Sequence, residues 1–225
     1  MAYPLRPHYR NRVDAGKRLA ADLDHYRNSD VIVFAIPRGG IPVAVEVAKK
    51  LGSDLDIVIP RKIPIPFNTE AGYGAVTEDG AMVLNQPLVK QLNLSLHQIE
   101  GHAEEVRTEI LRRASVYRAE LKPSSVEGKT AMIIDDGLAS GYTMLAAINS
   151  IRKKGATNIV VAVPVASSGA WELIKPVADE LVCPVVAYTN SFAVADFYRN
   201  WRDLTDEEVI SDLEGFLKHD KGHPP

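Results

Sequence analysis

Two adjacent aspartates, Asp135 and Asp136, follow the four-residue apolar run 131–134 and precede Gly137, Leu138 and the string Ala139, Ser140, Gly141, Tyr142, Thr143. Neighbouring carboxylates repel each other, so the pair calls for a cationic or hydroxyl-bearing group beside it. The string opens a helical pattern. A tight turn there would aim backbone N–H groups outward at the positive end of a helix dipole, and the Ser140 and Thr143 hydroxyls would add donors. That is an anion site, and phosphate suits it. The loop itself carries neither GxGxxG nor GK[ST], so it is of neither commoner phosphate-binding type. Carboxylates a few residues from a phosphate suit vicinal ribose hydroxyls with a metal nearby. The plainer reading, strand end plus helix cap, explains one aspartate more readily than two in a row.

Such a loop needs a rigid frame. Segments 31–36, 55–60, 130–135, 158–165 and 180–186 are short, β-branched and continuously apolar, as strands buried on both faces of a parallel sheet are. Helical patterns follow at 41–52 and 142–155, each with a basic last turn and a glycine stop at Gly52 and Gly155. The alternation predicts an open, mostly parallel α/β sheet flanked by helices, with right-handed crossovers. Ligands bind beyond the carboxyl ends of such strands, where Asp135 and Asp136 fall. Segment 74–85 reads as a hairpin around Glu78-Asp79-Gly80. Segment 94–121 reads as one long amphipathic helix with Leu96, Ile99, Ala103, Val106, Ile110 and Ala114 on its apolar stripe. Arg107, Arg112, Arg113 and Arg118 would form its solvated face with Glu104, Glu105 and Glu109. The Pro-rich stretch 60–74 reads as a long loop.

With 225 residues, 46% hydrophobic and 24% charged, the chain suits a single domain, 1–225, with an ordinary core. A formal net charge of −3 with interspersed signs leaves no basic footprint for nucleic acid. Cys183 is the only cysteine, so an internal disulfide and a CxxC motif are excluded, and its apolar strand argues against a nucleophile. His97 and His102 do not share a helix face, which removes a zinc pair. No apolar run of membrane-spanning length and no signal-peptide pattern appear, so a cytoplasmic protein is expected.

Apolar-apolar-Asp-Asp, three residues, then Ser-Gly-x-Thr resembles the phosphoribosyl pyrophosphate signature of the type I phosphoribosyltransferases, matched here at every defined position. Three further segments agree. Arg38-Gly39-Gly40 between a strand and a helix is similar to the family's pyrophosphate loop. Arg61-Lys62, opening the Pro-rich stretch before a hairpin, resembles its mobile catalytic loop. The tail from Phe192 to Trp201 looks like the hood over the base. The resemblance spans about 31–203, closest to the loosely characterised group of predicted phosphoribosyltransferases. It implies a core at about 28–183, a small hood at 184–204 with the N-terminal segment, and usually a homodimer. It also implies transfer of 5-phosphoribosyl to a nucleobase-like acceptor, with Mg2+. Asp135, Asp136, Arg61 and Lys62 would be catalytic, and Arg38, Gly39, Gly40 and 139–143 would bind the donor. The metal would fall to Asp135, Asp136 and a hood aspartate, Asp196, which a helix cap explains equally well. Phe192 and Phe197, with Tyr198 and Trp201, would offer a base a stacking surface, although such rings also serve as core. Ala139 stands where the 6-oxopurine enzymes place an aspartate, which points away from hypoxanthine or guanine. A non-catalytic sensor of phosphoribosyl pyrophosphate is the alternative. Under the enzyme reading Asp136→Asn is expected to impair binding while sparing stability.

Overall fold

The computed structural model describes residues 7–66, 68–119, 121, 124–189 and 191–220, with 68–70, 219 and 220 described at the backbone only. In chain order the elements are α1 (Arg12–Asp22), β1 (Val31–Ala35), α2 (Gly40–Leu51), β2 (Asp54–Ile57), β3 (Arg61–Ile65), β4 (Asn68–Val76) and β5 (Met82–Leu84). Then come α3 (Gln86–Gln91), α4 (Leu96–Tyr117), β6 (Thr130–Ile134), α5 (Tyr142–Lys153), β7 (Asn158–Ala162) and β8 (Val165–Ser167). The chain closes with α6 (Ser168–Ile174), β9 (Glu180–Val182), β10 (Val185–Ala187) and α7 (Asp206–Asp220).

The main sheet has the order β2-β1-β6-β7-β9 and every pairing in it is parallel. Successive side chains point to opposite faces of a strand, so each strand feeds two cores. Val31, Val33 and Ala35 pack with α2 residues such as Ile41 and Val47, whereas Ile32 and Phe34 pack with α5 residues such as Met144 and Ile148. Both faces being covered, β1 is buried at all five positions, which is why its sequence runs apolar without alternation. Gly52 ends α2 in the left-handed conformation, at φ 69°.

Four departures from the sequence expectations have local causes. Segments 158–165 and 180–186 are each broken by a proline, Pro164 and Pro184. The residues beyond them, β8 and β10, pair with each other in a separate two-stranded sheet. The stretch 60–74 is not a loop. It forms β3 and most of β4, and with β5 these make a three-stranded antiparallel arm. Pro64 is tolerated because β3 is the arm's edge strand and its register shifts at Ile63/Pro64. In α4, Leu96 is 75% exposed, and the buried stripe is Ile99, Ala103, Ile110, Ala114 and Tyr117. Arg118 is not solvated. Its two Nη atoms each donate to Glu78 at 2.6 Å, and one donates to the Ile57 carbonyl at 3.1 Å, fastening the arm's turn to α4.

A third, smaller cluster joins the N-terminal segment to the chain after β10, through Tyr9, Ala15, Val165, Ala187, Phe197 and Tyr198. Tyr9 and Tyr198 form a parallel bridge, and the Tyr9 hydroxyl donates to the Pro164 carbonyl at 2.9 Å. Among the described residues, no helix is long and apolar enough to cross a membrane.

Candidate active site

The carboxyl ends of β1 and β6 lie side by side, with Ala35 opposite Ile134, and this brings the two motif loops together. A cis peptide joins Pro37 to Arg38. The contact between the loops is intimate: a Cβ on Gly39 would sit 1.9 Å from Asp136 Oδ2. Only glycine lets the carboxylate pass there. The Gly40 amide, assigned to the anion from sequence, is instead used internally, donating to the Ile36 carbonyl at 3.0 Å.

Beyond the aspartates, Leu138 bridges to Ala166, and the Ser167 hydroxyl donates to the Ala139 carbonyl at 2.7 Å, pinning the loop from below. Gly141 caps α5 at φ 80°, a conformation that favours glycine and turns the chain into the helix. The amides of Ser140, Gly141, Tyr142, Thr143 and Met144 donate to no acceptor among the described residues. Ala139 and Ser140 are exposed. Open amides at a helix start can take an anion.

The aspartates differ in their partners. Asp135 Oδ1 accepts from the Asp136 amide at 2.8 Å. Loss of solvent, and then the Asp136 charge, raise its carboxyl well above the usual range. Asp136 Oδ2 accepts from Arg12 Nε at 2.7 Å. Burial raises this carboxyl as well, opposed by the Arg12 guanidinium. Arg12 is itself buried. Its guanidinium carbon lies 3.8 Å from the Trp201 ring centroid, and its Nη1 donates to the Arg202 carbonyl at 2.9 Å. The Tyr198 hydroxyl donates to the Asp136 carbonyl at 2.7 Å. Sequence reasoning missed Arg12, which lies 124 residues before its partner with no local pattern to mark it.

The remaining expected residues are placed as follows. Arg38 Nη1 lies 3.6 Å from Asp206 and Arg61 Nη1 lies 3.5 Å from Glu109, each about two-thirds buried. Lys62 is exposed, next along β3. Asp196 is exposed, and the described residues contain no group of three or more His, Cys, Asp or Glu side chains able to hold a metal. Asp196 therefore completes no carboxylate triad with the pair. Two hard carboxylates suit a cation such as Mg2+ only if substrate oxygens and water supply its other ligands. Phe197, at 1% exposure, is interior and packs on Phe192 with ring centroids 5.3 Å apart, so it offers no free face to a base. Phe192 is half-buried, and the Trp201 ring is covered by Arg12. Burial pushes the Cys183 thiol up to about 12, which keeps it inert. A cleft of about 740 Å³ adjoins Arg12 on the side of α1 and α7, bordered by Pro42, Arg199, Trp201 and Glu208.

Comparison with known proteins places the chain in a family. The sequence profile of the phosphoribosyl transferase domain matches residues 76–200. Two Mycobacterium tuberculosis proteins, from different strains and provisionally named phosphoribosyl transferases, are each 37% identical over 204 residues, 91% of this chain and 46% of theirs. The chain thus spans about half the length of these curated relatives. A ribose-phosphate pyrophosphokinase of Thermococcus kodakarensis is 38% identical over 136 residues, 58% of this chain and 45% of its own. The crystal structure of TT1426 from Thermus thermophilus matches at 35% identity with a TM-score of 0.77, covering 93% of this chain and 99% of that one. By its matched domain, its sheet order and its relatives, the chain belongs to the type I phosphoribosyltransferase family.

Proposed function

We propose that the chain transfers a 5-phosphoribosyl group from phosphoribosyl pyrophosphate to a nitrogenous base and releases pyrophosphate. The observation that carries this reading is the open-amide loop beside a carboxylate pair. The amides of 140–144 hold the 5-phosphate, and Asp135 and Asp136 read the ribose hydroxyls. Arg38, the Gly39 amide, Arg61 and Lys62 receive the pyrophosphate. The bond from ribose C1 to the pyrophosphate oxygen breaks, a bond from C1 to the base nitrogen forms, and the base loses its proton. Charge builds as a cation on the ribose and as a polyanion on the leaving group. Arginines and buried carboxylates fixed in advance stabilise both without a strong base. Mg2+, held by Asp135 and Asp136 together with substrate oxygens, would add further charge neutralisation. The arm carries Arg61 and Lys62 at its root, so its movement would exclude water from the leaving group.

A second reading, sensing of phosphoribosyl pyrophosphate without turnover, draws on one observation: Arg38 and Arg61 already face carboxylates. One experiment separates the two. Pyrophosphate release is measured with Mg2+ across a panel of purine, pyrimidine and pyridine bases, beside a titration with phosphoribosyl pyrophosphate. Base-dependent release supports the transferase. Tight binding without release for any base supports the sensor, and no binding sinks both.

A further inference from the structure

The leaving-group end of the site holds a cation that neither the motif nor the arm supplies. Glu109 Oε1, on α4, lies 3.5 Å from Arg61 Nη1 and 2.9 Å from Arg113 Nε, so one oxygen joins the two arginines. Tyr117 stands four residues after Arg113, on the same face of α4. Its hydroxyl donates to Asp206 Oδ1, the oxygen that lies 3.6 Å from Arg38 Nη1. Arg38, Arg61 and Arg113 thus converge from the β1 loop, the arm and α4 around two carboxylates. Burial, then the Arg113 charge, and further down the Arg38 charge, weaken the hold of Arg61 on its proton. These three crowded guanidiniums, with Arg112 a fourth on the more exposed side of Glu109, are balanced by only two carboxylates and make a polyanion site that the protein has partly filled with its own side chains.

We propose that Arg113 is a third leaving-group-binding arginine, and that Glu109 and Asp206 are resident counter-carboxylates which the pyrophosphate group displaces. The inference rests on the phosphoribosyl pyrophosphate reading for its substrate, and on the geometry of α4 for its residue. The pairs to be exchanged suit that role. At 3.5 and 3.6 Å the Arg61–Glu109 and Arg38–Asp206 contacts are longer than direct charge-assisted hydrogen bonds, and each partner is about one-third exposed. A diphosphate offers more oxygens than the two carboxylates and forks well onto guanidinium planes. When it enters, Glu109 keeps Arg112, whose Nε donates to it at 2.8 Å, and Asp206 keeps Tyr117. Neither carboxylate is stranded.

The test is calorimetric titration of the full chain and its variants with inorganic pyrophosphate. Ribose 5-phosphate serves as a probe of the opposite end. Arg113→Gln is expected to weaken pyrophosphate about tenfold or more while leaving ribose 5-phosphate unchanged, and Arg113→Lys is expected to recover part of the loss. Glu109→Gln and Asp206→Asn should change affinity the other way, tightening pyrophosphate several-fold, a direction that simple damage to the fold would not give. Unchanged pyrophosphate affinity in Arg113→Gln, or weaker binding in both carboxylate variants, overturns the inference. A wild type that binds phosphoribosyl pyrophosphate tightly while Arg113→Gln does so equally well sinks the inference alone. Pyrophosphate binding that needs Arg113, in a chain that ignores both ribose phosphates, upholds it and removes the transferase reading instead.

Discussion

At one end of the site a ligand would meet backbone, and at the other it would meet side chains. The 139–143 loop presents amides without protein acceptors, fixed by Gly141 and by the Ser167 hydroxyl below. The opposite end presents Arg38 and Arg61, each already facing a carboxylate drawn from a distant helix. Backbone donors at a helix start cost nothing to leave open to solvent and cannot swing away. Crowded guanidiniums need counter-charges while the site is empty, and those must be exchanged on binding. Under the proposed function, the amide end therefore suits a constant group, and the arginine end one that arrives and departs.

The aspartates between the two ends give the strongest tests of this division. Gly39→Ala is expected to have the largest effect, because the added methyl overlaps Asp136 and disturbs both loops together. Overpacking of this kind predicts a loss of about 100-fold in phosphoribosyl pyrophosphate affinity, measured by titration. Near-normal binding would show that the two ends are not mechanically joined.

Asp136→Asn comes next. The structure reverses the sequence expectation that it would spare stability, because the variant would leave Arg12 buried without its charge partner. A loss of about 3 kcal/mol is predicted, read by urea unfolding. Asp135→Asn should do the reverse. The raised carboxyl of Asp135 contributes stability when protonated; that contribution is present at acid pH and is lost as pH rises through its folded value. At neutral pH the amide should therefore melt about 2–4 °C higher than wild type while losing substrate affinity. Its advantage should shrink on acidification, and an advantage independent of pH would contradict the assigned cause. Ser140→Ala should have the smallest effect. Its exposed hydroxyl makes no internal hydrogen bond among the described residues, so ribose 5-phosphate should weaken by roughly fivefold with the melting temperature unchanged. A large drop in melting temperature would mean that the open loop is structural after all.

How much was legible in the sequence follows the same division. Asp135, Asp136 and the 139–143 loop are contiguous, and their chemistry depends on backbone geometry that small residues and glycine advertise. The parallel sheet was equally plain, because burial on both faces forces continuous apolarity. What sequence reasoning missed arrives through space. Arg12 reaches Asp136 across 124 residues, and Arg113 is one of three arginines of α4, Arg107, Arg112 and Arg113, that differ only in the direction they face. The Pro-rich arm was misread because prolines signal loops in general, yet an edge strand with a shifted register tolerates one. Phe197 was offered as a stacking ring from its place in the hood-like tail, but an aromatic near a ligand loop is as readily a packing residue, and here the His8 and Phe192 rings lie against it.

Pro164 and Pro184 have a consequence of another kind. They interrupt neighbouring chain segments at similar depth, so the structure is perforated along a line between the main sheet and the β8–β10 pair. Breathing of that pair, together with the segment carrying Tyr198, could proceed without breaking the hydrogen bonds of β7. Amide hydrogens at 165–167 and 185–187 should then exchange as one group, sooner than those at 158–162. Tyr198 touches Asp136, so the rate of that exchange would report how often the carboxylate pair loses its cover.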